Sequence, residues 1–176
     1  HLLFERGKSM QEAVPIGKGS MLAVLGSDIN EINNYILHLK NKGICEIAND
    51  NAQGQVIVSG NISAVEELKD ILKENKKKSI TLPVSAPFHC SLMNSAASKM
   101  KEKIENTNFK KPDHEIISNV TSQPVNNPEE FKDLLVKQIY TRVRWRETIL
   151  FMGAKKINNF IEIGPGKVLT GLVKRI

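Results

Sequence analysis

The chain has 176 residues, enough for one large domain or two small ones, and its 40% hydrophobic and 25% charged residues describe an ordinary folded protein rather than a disordered one. No apolar run approaches the length of a membrane span, and Cys45 and Cys90, far apart and without CxxC spacing, argue against a disulfide framework or a zinc site and fit a reducing cytoplasm. The net charge of +6 points to acidic partners (nucleic acid, phosphorylated cofactors or an acidic protein), while 5% aromatic residues argue against the stacking platforms of single-stranded nucleic-acid binders.

The sequence starts His1-Leu2-Leu3-Phe4-Glu5-Arg6 without an initiator Met and reads as a chain entered in mid-helix. The expectation is a longer protein whose N-terminal part is missing. A helix runs from His1 to about Ala13 and is stopped by Pro15. Met21–Leu25 is a short continuous apolar run, the mark of a strand buried on both faces. Asp28-x-x-Glu31 resembles a capping box, followed by a stripe of Ile29, Ile32, Ile36 and Leu39. Strands are expected over 45–49 and 55–59 around a turn at 50–54. Ser63-x-x-Glu66 suggests a second capping box for a helix whose inner face is Val65, Leu68 and Leu72. Lys76-Lys77-Lys78 reads as a solvated helix end, and a fourth strand follows over 79–82. Strand, helix, strand, strand, helix, strand is the ferredoxin-like split βαβ order.

A long helical pattern then runs from about Leu92 to Glu105, followed by a strand over 115–120. Asn127-Pro128-x-Glu130 starts a helix that reaches Tyr140, with Asn at the cap and Pro in the first turn. Residues 145–156 are helical again, and a strand over 159–163 ends in Gly164-Pro165-Gly166-Lys167 before a last helix. Strands alternating with helices here suggest part of a parallel α/β sheet.

The chemistry centres on Val84-Ser85-Ala86-Pro87-Phe88-His89-Cys90-Ser91-Leu92-Met93, a strand-to-helix turn. Pro87 restricts the backbone, and the positive end of the following helix disfavours imidazolium, which would leave His89 neutral and available as a base. Taken alone, a turn histidine is more often without a role. Arg6 sits beside Glu5 and Lys8, where a surface salt bridge is the plain reading; pointed into a cleft, its fork suits a carboxylate. Gly164-Pro165-Gly166-Lys167 occupies a turn where a helix N-terminus could meet an anion, but it lacks Walker A spacing and reads first as a tight turn. No Ser stands in a G-x-S-x-G elbow anywhere in the chain. Cys90, adjacent to His89, would point about 100° away from it on a helix, which speaks against a Cys–His dyad. A base is present and a nucleophile is not.

Taken together, Arg6-Gly7-Lys8-x-Met10-Gln11-Glu12-Ala13-Val14-Pro15, the Pro87–Met93 turn, Val136-Lys137-Gln138-Ile139-Tyr140 and Glu162–Leu172 resemble the malonyl-CoA:acyl-carrier-protein transacylases of bacterial fatty-acid synthesis. The resemblance runs in order from the first residue to the last and corresponds to roughly the C-terminal two-thirds of that family's length. It implies part of an α/β-hydrolase-like parallel sheet core (residues 1–17 and 84–176) with an inserted ferredoxin-like βαββαβ small subdomain (18–83). It implies ping-pong malonyl transfer through a Ser on a G-H-S-x-G elbow that this chain lacks, as it lacks the family's G-Q-G segment of the oxyanion hole. By the same resemblance His89 is the general base, Gln138 orients it through a main-chain carbonyl, Arg6 clamps the malonyl carboxylate, and Phe88 is the form of the turn that goes with malonyl units. The implied partners are malonyl-CoA and acyl carrier protein, with no cofactor, metal, nucleic acid or membrane, and a monomeric state in the cytoplasm. Lys8, Lys76, Lys77, Lys78, Lys167 and Lys174 are candidates for the surface that receives an acidic carrier. The competing reading is a basic ferredoxin-like module that binds RNA or protein. It leaves the His89 turn unexplained and offers no aromatic stacking residues on its central strands.

Overall fold

The computed structural model describes residues 1–40 and 43–176. Helix α1 spans Leu2–Glu12 and strand β1 spans Gly19–Leu25. Then come α2 (Ile29–Leu37), β2 (Cys45–Ala52), β3 (Gln55–Asn61), α3 (Ile62–Glu74) and β4 (Lys78–Thr81). The four strands make one antiparallel sheet in the order β2-β3-β1-β4. Alternation along β1 sends Leu22 and Val24 to one face and Met21 and Ala23 to the other. On the first face Leu22, Val24, Val56 and Val58 pack with Ile32 of α2 and with Val65, Leu68 and Leu72 of α3. Leu22, Ile32, Leu68 and Leu72 are 0% exposed, and burial of each such side chain contributes about 1.5–3 kcal/mol. The second face (Met21, Ala23, Ala48, Ile57) is covered by Leu82 and Phe88. The expectation that 21–25 is buried on both sides therefore holds, and one of its two covers is the His89 turn itself.

Past that turn a 3-10 segment, Ser91–Met93, leads into α4 (Asn94–Glu105). Strands β5 (Ile116–Ile117) and β6 (Pro124–Val125), then α5 (Pro128–Tyr140), α6 (Trp145–Ala154) and α7 (Val168–Val173), complete the chain. Helices α1, α4 and α5 share a second core around Met10, Val14, Met93, Met100, Ile104 and Ile139. Ion pairs Glu5–Lys103 and Glu12–Lys99 cross between α1 and α4. The C-terminal half meets the small sheet at β2. The Val143 amide donates to the Ala48 carbonyl (2.8 Å), the Asp50 amide donates to the Val143 carbonyl (3.0 Å), and Arg146 grips the Asp50 carboxylate at 2.9–3.0 Å. Asp50 is 1% exposed, and a buried carboxylate without such a partner would be costly.

Several expectations need correction. Strand β2 runs on through Asp50 to Ala52, so the hairpin turn is only Gln53-Gly54, with Gly54 at φ +70°. Ser63 does not cap its helix: α3 starts at Ile62 after Asn61, whose side chain instead accepts from the Ile44 amide. The Asp28 and Asn127 caps form as expected, accepting from Glu31 and Glu129 amides at 2.9 and 3.0 Å. The lysine run is not simply a solvated end, since Lys78 opens β4 and Lys77 pairs with Glu31 at 2.6 Å. Of the strand expected over 115–120, only Ile116–Ile117 pairs, with Pro124–Val125, because Ser118–Gln123 turns back on itself. Residues 159–163 form no strand; Ile161 and Ile163 are 87% and 94% exposed. A strand exists through its ladder, and among the described residues no neighbour supplies one.

Candidate active site

Three elements converge on the 84–91 turn. The Pro87 ring lies against Gly19 at the start of β1, so close that a Cβ there would collide with it. Gln11 of α1 accepts a hydrogen bond from the Ser85 hydroxyl at 2.6 Å. Phe88 packs at the junction of the helical core and the second face of the sheet. Between these anchors His89 takes a left-handed backbone, φ +60°, uncommon outside glycine. Its Nδ1 lies 3.0 Å from the main-chain carbonyl oxygen of Gln138 on α5.

That contact fixes the chemistry of the ring. A carbonyl only accepts, so Nδ1 carries the hydrogen and, in the neutral ring, Nε2 carries the lone pair. Burial pushes the imidazole pKa down, the Gln138 carbonyl opposes that, and the nearby Arg6 charge adds to the lowering. Desolvation thus pushes the ring toward the neutral form, the same direction expected of the helix dipole. Proton titration of the ring by NMR is expected to give a midpoint below the ordinary 6.5. As pH falls through that ordinary value the unfolded chain takes up the proton first, so the fold loses stability from there down to the His89 midpoint. A midpoint at or above 6.5 would show the ring to be better solvated than its surroundings imply.

Arg6 lies on α1 one turn before the buried Met10, on the stripe that faces the helical core. Its guanidinium is half-buried, burial lowers its pKa, and among the described residues it has no acidic partner. A desolvated cation without a counter-charge, within electrostatic reach of a histidine, has the chemistry to pair with a carboxylate. Arg6, His89 and Gln138 thus come together from α1, the turn and α5. Phe88 adjoins them as a packing residue under the turn.

Other candidates drop out. The Cys90 thiol is buried, donates to the Pro87 carbonyl (3.2 Å) and receives the Ser59 hydroxyl (3.6 Å); burial raises its pKa. Cys45 is pushed up to about 12 by burial. Neither is a nucleophile at neutral pH. At Gly164-Pro165-Gly166-Lys167 the first turn of α7 is already satisfied: Glu162 accepts from the Leu169 and Thr170 amides at 3.1 and 2.8 Å and from the Thr170 hydroxyl at 2.6 Å. Gly164 (φ +144°) and Gly166 (φ +86°) supply the backbone, so this is a structural turn. Of the candidate lysines, Lys77 is paired, while Lys8, Lys76, Lys78, Lys167 and Lys174 are exposed. Sequence reasoning missed Gly19, Gln11 and Glu46 as supports of the turn. None of the three contacts leaves a local signal in the sequence, since each joins residues far apart along the chain.

A malonyl CoA-acyl carrier protein transacylase of Bacillus subtilis is 41% identical over 174 residues, which take in 98% of this chain and 55% of that protein. The solved malonyl CoA-acyl carrier protein transacylase of Coxiella burnetii superposes with a TM-score of 0.97 at 35% identity, over 99% of this chain and 56% of its own. The chain corresponds to part of the malonyl CoA-acyl carrier protein transacylases. A second similar structure is a malonyl-transacylase in complex with a type II PKS acyl-carrier protein, TM-score 0.95 and 39% identity, of which the chain covers 57%. No family model matches the chain. It spans a little over half the length of these transacylases, 55–57%, where the motifs had implied two-thirds. Among the described residues no helix is long and apolar enough to cross a membrane.

Proposed function

We propose that this chain is the base-bearing part of an enzyme that transfers malonyl from malonyl-CoA to the phosphopantetheine thiol of an acyl carrier protein. The observation that carries the proposal is the half-buried, unpaired Arg6 guanidinium beside a histidine whose Nδ1 is fixed by the Gln138 carbonyl. In this reading Arg6 holds the free carboxylate of the malonyl group, which an acetyl group lacks. His89 Nε2 accepts the proton of a serine hydroxyl as its oxygen attacks the thioester carbonyl, and returns that proton to the departing CoA sulfur. In the second half it takes the proton of the pantetheine thiol, whose sulfur attacks the serine ester, and gives it back to the serine oxygen. The Gln138 carbonyl keeps the ring in the Nδ1–H tautomer and stabilises imidazolium as it forms, the role a triad carboxylate plays elsewhere. Phe88 fixes the turn's depth and with it the room left for the acyl chain. The serine comes from outside these 176 residues, and no cofactor or metal enters either half-reaction.

The same reading assigns residues 18–83 to an inserted ferredoxin-like small subdomain and 1–17 with 84–176 to an α/β-hydrolase-like core. The strand order β2-β3-β1-β4 supports the first. Exposed Ile161 and Ile163, apolar residues of an unpaired extended segment, support the second, since a parallel sheet would bury them. The protein would act as a cytoplasmic monomer that meets an acidic carrier protein through some of the exposed lysines.

Intact mass after incubation with malonyl-CoA tests the proposal. The 176-residue chain is expected to stay unmodified, and a transacylase that joins it to a serine-elbow segment to gain one malonyl group. A malonyl adduct on the chain alone would overturn the serine assignment.

A further inference from the structure

A left-handed histidine between two packed layers has to be held. Backbone strain of this kind persists only where the surroundings over-determine it. Upstream of His89 the hold is mainly apolar, the Pro87 ring on Gly19 and Phe88 in the core, with the Ser85 hydroxyl donating to Gln11 beside them. Immediately downstream it is a pair of charge-assisted hydrogen bonds. Glu46, on β2, reaches the first residues of the 3-10 segment, where its Oε2 accepts from the Ser91 amide at 2.8 Å and its Oε1 from the Ser91 hydroxyl at 2.6 Å. Cys90, the residue that caps this segment, makes no side-chain cap bond, so the acceptor at this helix start comes from a strand 45 residues earlier. Both Glu46 oxygens are spent on Ser91, and no cation is paired with Glu46 among the described residues. A carboxylate at a helix N-terminus is favoured by the dipole, and its hydrogen bonds are charge-assisted.

We propose that Glu46 is a positioning residue for His89, pinning the downstream arm of the turn to the small sheet so that Nδ1 stays on the Gln138 carbonyl and Nε2 stays aimed at the reacting proton. The pin joins the sheet to the turn, while Gln138 joins the turn to α5, so the imidazole is fixed between β2 and α5. This rests on His89 being the general base, which the His89→Ala test below decides by itself.

The experiment uses the 176-residue chain and reads the His89 ring by nitrogen-15 NMR. In the unsubstituted chain the ring is expected in one tautomer, with an Nδ1–H that exchanges slowly with solvent. Glu46→Ala is expected to speed that exchange at least tenfold and to mix the tautomers, while the amides of Val58 and Leu68 in the sheet core keep their protection. Glu46→Gln can still accept from the Ser91 amide and donate to its hydroxyl, and is expected to restore slow exchange. If Glu46→Ala fails to fold, Ser91→Ala, which removes only the hydroxyl contact, is expected to give an intermediate rate. Exchange within twofold of the unsubstituted chain in whichever of these two variants folds would overturn the proposal. So would a loss that Glu46→Gln does not restore, because a geometric pin survives the loss of charge. Should His89→Ala prove harmless to transfer, the reading of the base falls while the exchange data still judge the pin.

Discussion

Arg6→Ala, in a transacylase that contains this chain, is expected to cost malonyl transfer about 2–5 kcal/mol of transition-state stabilisation, while acetyl transfer holds or rises. The asymmetry follows from burial. The guanidinium is already partly desolvated and has no carboxylate of its own among the described residues, so a malonyl substrate supplies the missing charge. An acetyl thioester leaves the cation unpaired, a penalty that Arg6→Ala removes together with the cation. Steady-state kcat/KM for the two acyl groups measures this. Equal losses for both would make Arg6 a structural residue of α1.

The second large effect separates a side chain from a carbonyl. His89→Ala removes the proton acceptor and is expected to lower malonyl transfer roughly 10²–10⁴-fold or more. Gln138→Ala keeps the main-chain oxygen that lies 3.0 Å from Nδ1 and is expected to retain most activity. Gln138 lines a groove with Ile117, Phe131 and Leu134, and its hydrogen bond to the ring is made by the main-chain oxygen, which the substitution keeps. Single-turnover acylation rates decide the pair. Near-normal acylation by His89→Ala would overturn the base assignment, and a large loss in a folded Gln138→Ala protein would shift the orienting role to the side chain.

The sheet unit was legible because its signals are local. The apolar run at 21–25, the Asp28 cap and the period of Val65, Leu68 and Leu72 each name an element without reference to the rest of the chain. Residues 159–163 misled for the complementary reason: alternating apolar residues state a preference for a ladder, and the ladder needs a partner strand. The site divides in the same way. His89 and Arg6 stood out as candidates from their residues, but Gln138 could be named only because separated motifs together resembled a family, since nothing local marks a residue whose contribution is a backbone atom. Glu46 left no trace at all, because a glutamate in a strand looks like any exposed charge until Ser91 is seen 2.8 Å away.

The packing of α1 on α4 sets an order of events during synthesis. Glu5 meets Lys103 and Glu12 meets Lys99, partners 98 and 87 residues apart, with the whole antiparallel sheet between them in sequence. At about 5–20 residues per second, α1 leaves the ribosome roughly 5–20 s before the helix that buries Met10 has been made. The sheet, whose strands all lie within residues 19–81, can close in that interval. Helix α1, which carries Arg6, therefore emerges well before the α4 helix that packs on it, and its apolar stripe stays open to a holding chaperone for that interval.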